Sequence, residues 1–327
     1  MSIARHKAFT NPVHPRTFAD PFVLLHDGSY YAFGTNNVDD SELAFEVLHS
    51  TDLVHWQSLG RTLPRVDGLA ARDHWAPEVA ERDGRFYMYF SAGVEDRDHH
   101  LRLAIADRPE GPYHYDGVVL TPDQPFAIDA SPFRDVDGRW YLYYARDLLE
   151  GDRVGTSLVV DRLLEMDRLA GEPVPVLGPS ADWQIFRRRR RMYGAVYDWH
   201  TLEAPFVVKR LGRYWCFYSG GRWSSDGYGV SYAVASSPLG PFREPAGEGP
   251  ALLRSRPGAL VGPGHNSVVV GPDGTDFVVY HAWDPGFEAR RMCIDRLEWT
   301  AEGPRTSGPT AEPQAVPRRL GLSANPA

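Results

Sequence analysis

Five residues able to do chemistry recur at one place in a repeated phrase. Asp20, Trp75, Asp129, Glu203 and His265 each stand nine residues (eight for the first) before a turn glycine: Gly28, Gly84, Gly138, Gly212 and Gly274. Carboxyl groups brought close together raise one another's proton affinity, so one can stay protonated beside another that is ionised. Hydrolysis of a glycosidic bond needs that pairing: one carboxyl protonates the leaving oxygen while another acts as base or nucleophile. Trp75 would add a flat apolar platform suited to a sugar face, and His265 a titratable or metal-binding group. Taken singly, each residue has a plainer use. Asp20-Pro21 suits a turn, Asp129 and Glu203 suit a surface or a cap, and His265 suits a buried hydrogen bond. Their common position in five copies is what argues for chemistry.

The elements that must position them follow from the repeat itself. The copies read ADPFVLLHDGSYYAFGT from Ala19, WAPEVAERDGRFYMYFSAG from Trp75, DASPFRDVDGRWYLYYA from Asp129, TLEAPFVVKRLGRYWCFYSGG from Thr201 and HNSVVVGPDGTDFVVYHA from His265. Alternating apolar runs around a D-G or L-G turn predict a β-hairpin in each. A Pro-x-Gly-Pro-aromatic phrase around Gly111 and again around Gly240 keeps the period through the outer half of the unit, giving about four strands per repeat. Small sheets repeated radially bury their faces against one another, which predicts an all-β, five-bladed β-propeller. The expected organisation is one domain over residues 1–327, with an irregular arm at 1–18 and an extended tail from about 304 to 327. The stretch from Val159 to Gly171 comes nearest to helical periodicity and is read as the outer part of the third blade, with a single helical turn. In a propeller the first strands surround the axis, so Asp20, Asp129 and Glu203 would converge on one funnel. Before Glu203 lies an insertion, ADWQIFRRRRRMYGAVYDWH. It is expected to be a loop bordering the cleft, with Trp183, Tyr193, Tyr197 and Trp199 as stacking surfaces and its five arginines as a solvated turn.

Bulk properties narrow the classes. The net charge of −8 argues against a nucleic-acid surface, and 43% apolar with 12% aromatic residues is ample for a core. No apolar run approaches a membrane span. The N-terminus carries no apolar leader, and Cys216 and Cys293 fall in apolar runs that suit buried free thiols. Together these point to a cytoplasmic protein. There is no G-x-S-x-G and no H-E-x-x-H, so neither a serine-hydrolase nor a zinc-protease mechanism finds support.

The phrases FADPF, STDLVHW, HWAPEV, IDASPF, LEAPF and GPGHNSV, in that order from about residue 18 to 300, resemble glycoside hydrolase family 43, five-bladed propellers acting on arabinose- and xylose-containing polysaccharides. The resemblance implies Asp20 as general base, Glu203 as proton donor and Asp129 as the residue that tunes and orients the donor. It implies inversion of configuration, with base and acid about 6.5–9.5 Å apart around a water. His265 matches the family's central histidine, often beside a calcium or water cluster, so a structural calcium held there largely through water is one expectation. No cofactor is expected for the chemistry. Substrate contacts are expected from Trp75, Phe33, Trp199, His265 and Arg291, although Phe33 also suits the core. The activity implied is an exo-acting α-L-arabinofuranosidase or β-D-xylosidase on oligosaccharides or polysaccharide side chains. Two other readings remain at this point: a non-catalytic sugar-binding propeller, and a fructan hydrolase, whose N-D-P-N-G phrase and Glu-Cys pair are absent here.

Overall fold

The computed structural model describes residues 8–36, 41–66 and 72–319. Residues 1–7 of the expected arm and 320–327 of the expected tail lie outside the described residues. Among the described residues there is no α-helix. Each sequence repeat becomes an antiparallel run of strands. The first comprises Ala19–His26, Ser29–Thr35, Leu43–Ser50 and Gln57–Pro64. The second comprises Asp73–Arg82, Arg85–Val94 and Arg97–Ala106, and the third Ala127–Arg134, Trp140–Leu148, Gly155–Glu165 and Val174–Leu177. The fourth comprises Ala195–Arg210, Arg213–Gly220 and Gly229–Ala235, and the fifth Val261–Val270, Asp276–Trp283, Arg290–Thr300 and Gly303–Arg305. The near-helical stretch around Val159 is strand, ending in a turn at Met166-Asp167: β-branched Val159 and Val160 pack better on a pleated face than on a helix.

The first strand of each repeat touches the first strand of the next, and that of the fifth touches that of the first. The inner strands therefore close a ring, and the sheets stand around it as a propeller. The apolar core is divided accordingly. Each of its clusters is shared by two neighbouring repeats, as where Phe22, Phe33 and Val47 of the first meet Val79, Met88 and Phe90 of the second. The cluster between the fifth and first repeats includes Ile294, Val279, Val23 and Leu48. Phe33 is fully buried between the first and second repeats and does not reach a cleft. Cys216 and Cys293 are buried free thiols.

Two features depart from the sequence reading. The irregular N-terminal arm contributes strand Ala8–Phe9, paired with Gln314–Ala315 from the tail. Asn11 reinforces this closure: its side-chain amide donates to the Ile294 and Thr310 carbonyls, and its side-chain oxygen accepts from the Ile294 N–H. The arginine-rich insertion is a hairpin rather than a loop, with Ile185–Met192 paired against the first half of Ala195–Arg210.

Candidate active site

Every inner strand carries a bulge where the ladder register shifts, near its start in four repeats and in the middle of the long strand Ala195–Arg210 in the fourth. At each bulge one non-glycine residue takes a left-handed backbone: Asp20 (φ 52°), Ala76 (49°), Asp129 (60°), Ala204 (54°) and His265 (49°). Such conformations are costly for residues with a Cβ, and a ring of them marks a functional region. The five sequence positions are thus close but not identical. In the second and fourth repeats the chemical residue, Trp75 or Glu203, lies one place before the left-handed one. Counting back from the glycine hides this, because the hairpin turns differ in length. They hold two residues in the first, second and fourth repeats. In the third and fifth they hold three, at 136–138 and 272–274, closed by the Asp135 N–H to Arg139 C=O and Gly271 N–H to Thr275 C=O bonds.

The amide of each left-handed residue is buried and needs an acceptor. Four of them find it on the second strand of the preceding repeat. Ala76 N–H donates to Thr35 Oγ1 (2.8 Å), Asp129 N–H to Ser91 Oγ (3.0 Å), His265 N–H to Ser219 Oγ (2.8 Å) and Asp20 N–H to His281 Nδ1 (3.1 Å). The matching residue in the third repeat is Ala145, paired with Ile128 as Ser91 is with Trp75. It offers no acceptor, and Ala204 N–H donates instead to Asp129 Oδ2 at 2.9 Å. The carboxyl of Asp129 thereby holds the backbone beside Glu203.

The three carboxyl groups meet opposite electrostatic surroundings. Burial pushes Asp20 up, but the Arg290 guanidinium 3.2 Å away, helped by the His265 imidazole, outweighs it and holds Asp20 well below the usual carboxylate range. Glu203 is raised to about 7, mainly by burial, with the Asp20 charge adding to it and a hydrogen bond from Tyr228 opposing it. The Tyr228 hydroxyl donates to Glu203 Oε1 at 2.5 Å, leaving the other oxygen as the place for a proton. Asp129 is pushed up strongly by burial and by the Glu203 and Asp20 charges. His281 is lowered to about 4 by burial. Its Nδ1 accepts the Asp20 N–H, so we assign the proton of the neutral ring to Nε2.

These residues open into a pocket of about 290 Å³ whose walls come from all five repeats, with Asp20, Asp129, Glu203, Trp75, His265 and Arg290 among them. Trp75 lies flat on His99, ring centroids 3.7 Å apart. From the hairpin come Phe186, Arg190 and Met192. Arg190 is stacked over Phe186 and Trp199 and paired with Asp96 at 2.8 Å. The insertion's aromatics act differently from expectation. Trp199 is buried beneath Arg190 rather than exposed to a ligand, Trp183 packs on Tyr218, and the Tyr193 hydroxyl donates to Asp147. Its arginines do not all stand in solvent: Arg188 is exposed beside Asp198, but Arg190 is mostly covered. Arg291 also points away, toward the Pro15 carbonyl and Asp284. Its neighbour Arg290 takes the place beside Asp20, because strand alternation sends adjacent side chains to opposite faces. Tyr228 and Arg190 were not legible, since neither falls in the repeated phrase.

His265 Nδ1 faces Asp20 at 3.4 Å and Asp129 at 4.0 Å, but the Arg290 cation already balances Asp20. Among the described residues no group of three or more His, Cys, Asp or Glu is arranged to hold an ion. The donor set does not fit a directly ligated calcium.

Comparison with known proteins agrees with this geometry. Residues 9–304 match the family profile described as Glycosyl hydrolases family 43. A solved structure of a thermostable family-43 glycoside hydrolase is 34% identical, with a TM-score of 0.83 over 95% of this chain and 100% of that one. A β-D-galactofuranosidase (xynD) of Aspergillus niger is 30% identical over 90% of this chain and 83% of its own length. An extracellular exo-α-(1→5)-L-arabinofuranosidase of Streptomyces avermitilis is 26% identical over 90% of this chain, which spans 62% of that relative. The cytoplasmic expectation is overturned here. That relative and two arabinanases, of Thermotoga petrophila and Bacillus subtilis, are named extracellular. With its propeller, its funnel of carboxyl groups and these relatives, the chain belongs to glycosyl hydrolase family 43 and is a glycosidase.

Proposed function

We propose that the propeller works as one catalytic unit, an exo-acting α-L-arabinofuranosidase that inverts configuration. The observation that carries this reading is the opposed treatment of two carboxyl groups in one small pocket. Asp20 is kept ionised by Arg290, and Glu203 is kept protonated up to about pH 7 by burial. Asp20 takes a proton from a water as that water attacks the anomeric carbon. Glu203 gives its proton to the departing oxygen, and the charge that develops on it is received by the Tyr228 hydroxyl. Asp129 holds the Ala204 amide and so fixes the approach of Glu203. A pocket walled on every side and bridged by the Arg190–Asp96 pair suits removal of a terminal sugar better than cleavage within a chain.

The furanose preference is supported by the Aspergillus niger and Streptomyces avermitilis relatives. β-D-Galactofuranose and α-L-arabinofuranose share their ring configuration and differ by one carbon of the exocyclic arm, a difference worth about 1–3 kcal/mol in a closed pocket. A relative from Xylanibacter ruminicola is named β-xylosidase, so the xyloside is the competing substrate. The test is a panel of aryl α-L-arabinofuranoside, β-D-galactofuranoside and β-D-xyloside, with the anomer released followed by NMR. The arabinofuranoside should be hydrolysed with the highest kcat/KM and with inversion. A higher kcat/KM on the xyloside, or a product of retained configuration, refutes the proposal.

A further inference from the structure

Beyond the pocket, three aromatic side chains run outward in sequence from its wall. Trp223 lines the pocket and is 37% exposed. Its ring is nearly parallel to that of Trp283, 19° apart with centroids separated by 5.9 Å, and Trp283 meets Phe287 at 5.7 Å. Phe287 is 40% exposed. Exposed aromatic surface of this kind, continuous with a ligand pocket, marks a binding groove rather than a core.

The strip is built, not incidental. The Trp283 indole N–H donates to the Trp223 backbone carbonyl at 2.9 Å, fixing the Trp283 ring to that loop. Phe287 sits at the tip of a turn, in a left-handed conformation (φ 55°). Asp284 holds that turn: its carboxylate accepts from the amides of Gly286, Glu288 and Ala289, and from Arg291 at 2.6 Å. Arg291, outside the pocket, thus helps to present Phe287. The inner end is tied to the chemistry. Arg290, which pairs with Asp20, lies 4.6 Å from the centre of the Trp223 ring and 5.8 Å from that of Trp283. Trp223 also shares a loop with Tyr228, the donor to Glu203. That is the side from which the leaving oxygen must be protonated.

We infer that Trp223, Trp283 and Phe287 form a binding strip for the leaving-group side of the substrate, taking successive sugar units of a neutral oligosaccharide or polysaccharide by stacking on their apolar faces. The inference rests on the glycosidase reading above and adds where the rest of the chain lies. An uncharged glycan fits better than a charged one, because the strip offers aromatic rings and the cations beside it, Arg290 and Arg291, are already paired with Asp20 and Asp284.

The test uses the full chain as wild type, Phe287→Ala and Trp283→Leu. Two substrates are compared, an aryl α-L-arabinofuranoside, which has no sugar on the leaving side, and linear α-1,5-arabino-oligosaccharides of two to five units. Each variant should lower the ratio of oligosaccharide to aryl kcat/KM by about three- to tenfold, the size of a lost aromatic contact, chiefly through KM. The loss should grow with oligosaccharide length. In parallel, Glu203→Gln with and without Phe287→Ala is titrated with the same oligosaccharides by calorimetry, and the second change should weaken binding by the same factor. An unchanged ratio together with unchanged binding overturns the strip. Absence of turnover on every aryl glycoside would count against the activity reading instead, and the calorimetric comparison would still decide the strip.

Discussion

If Asp129 holds the acid in place because Ala145 cannot, then restoring the missing acceptor should separate its structural from its chemical contribution. Replacing Asp129 by Ala removes the acceptor 2.9 Å from the Ala204 N–H and leaves that amide buried and unpaired. An orphaned donor costs about 1–3 kcal/mol. At about 2–4 °C per kcal/mol for a large domain, Tm should fall by about 2–12 °C. The backbone beside Glu203 is also released, and a displacement of about 1 Å can cost about 100-fold in rate. Ala145→Ser places a hydroxyl where Ser91 and Ser219 already bond their neighbours' amides at 3.0 and 2.8 Å. The double variant Asp129→Ala/Ala145→Ser should therefore regain most of the lost Tm. Its kcat/KM should stay below that of the parent, because the carboxyl facing Glu203 is still missing. Asp129→Asn, which keeps an acceptor oxygen, should keep the parent Tm without help. Thermal melts and aryl-glycoside kinetics on the four proteins suffice. A double variant as unstable as Asp129→Ala, or an Asn variant equally unstable, would refute the argument.

The pH profile should be one-sided: kcat/KM falls as pH rises through about 7, where Glu203 loses its proton, with no matching fall on the acid side near pH 4, because Asp20 is held ionised. The same shift makes a stability statement. Glu203 binds its proton more tightly folded than unfolded, so its contribution is present at low pH and is lost as pH rises from about 4.5 to 7. Glu203→Gln should accordingly raise Tm more at pH 8 than at pH 5, and equal shifts at both would contradict this. Tyr228→Phe removes the bond that lowers Glu203, so the basic limb should move to higher pH; a move to lower pH would be the wrong sign. Arg290→Ala removes the main cation beside Asp20 and should bring an acidic limb into the measurable range along with a large loss of kcat/KM. Gly264→Ala would place a Cβ 1.8 Å from the Tyr228 ring, so it should lower both Tm and kcat, and a variant with parental kinetics would show that the ring can yield.

Much of this site was readable because repetition records itself in sequence. The hairpin phrase placed Asp20, Asp129 and Glu203 on inner strands, and closure of the ring brings them into one pocket. What stayed hidden has three physical causes. A one-residue difference in turn length shifts an alignment anchored on the turn glycine, so Glu203 was equated with Asp129 although its own bulge is centred on Ala204. Strand alternation separates Arg290 from Arg291 completely, and no composition reveals which of two neighbours faces inward. Aromatic content does not say whether a ring is bare or covered: Trp199 and Phe33 turned out to be supports, while Trp223 faces the pocket and Phe287 lies exposed beyond it. The acidic partner of Arg190, Asp96, comes from another repeat altogether and has no local sequence mark.

The short pairing of Ala8–Phe9 with Gln314–Ala315 carries a further consequence. The polypeptide is linear, but the object it builds is cyclic, and the place where the cycle is cut is a matter of connectivity rather than of packing. Positions 8 and 315 are neighbours across a ladder, so a short peptide can join them. New ends opened at the two-residue turn Asp83-Gly84, far from any residue named above for the chemistry, would leave every interface between repeats intact. Such a permuted chain would be synthesised in a different order and still have to find the same ring.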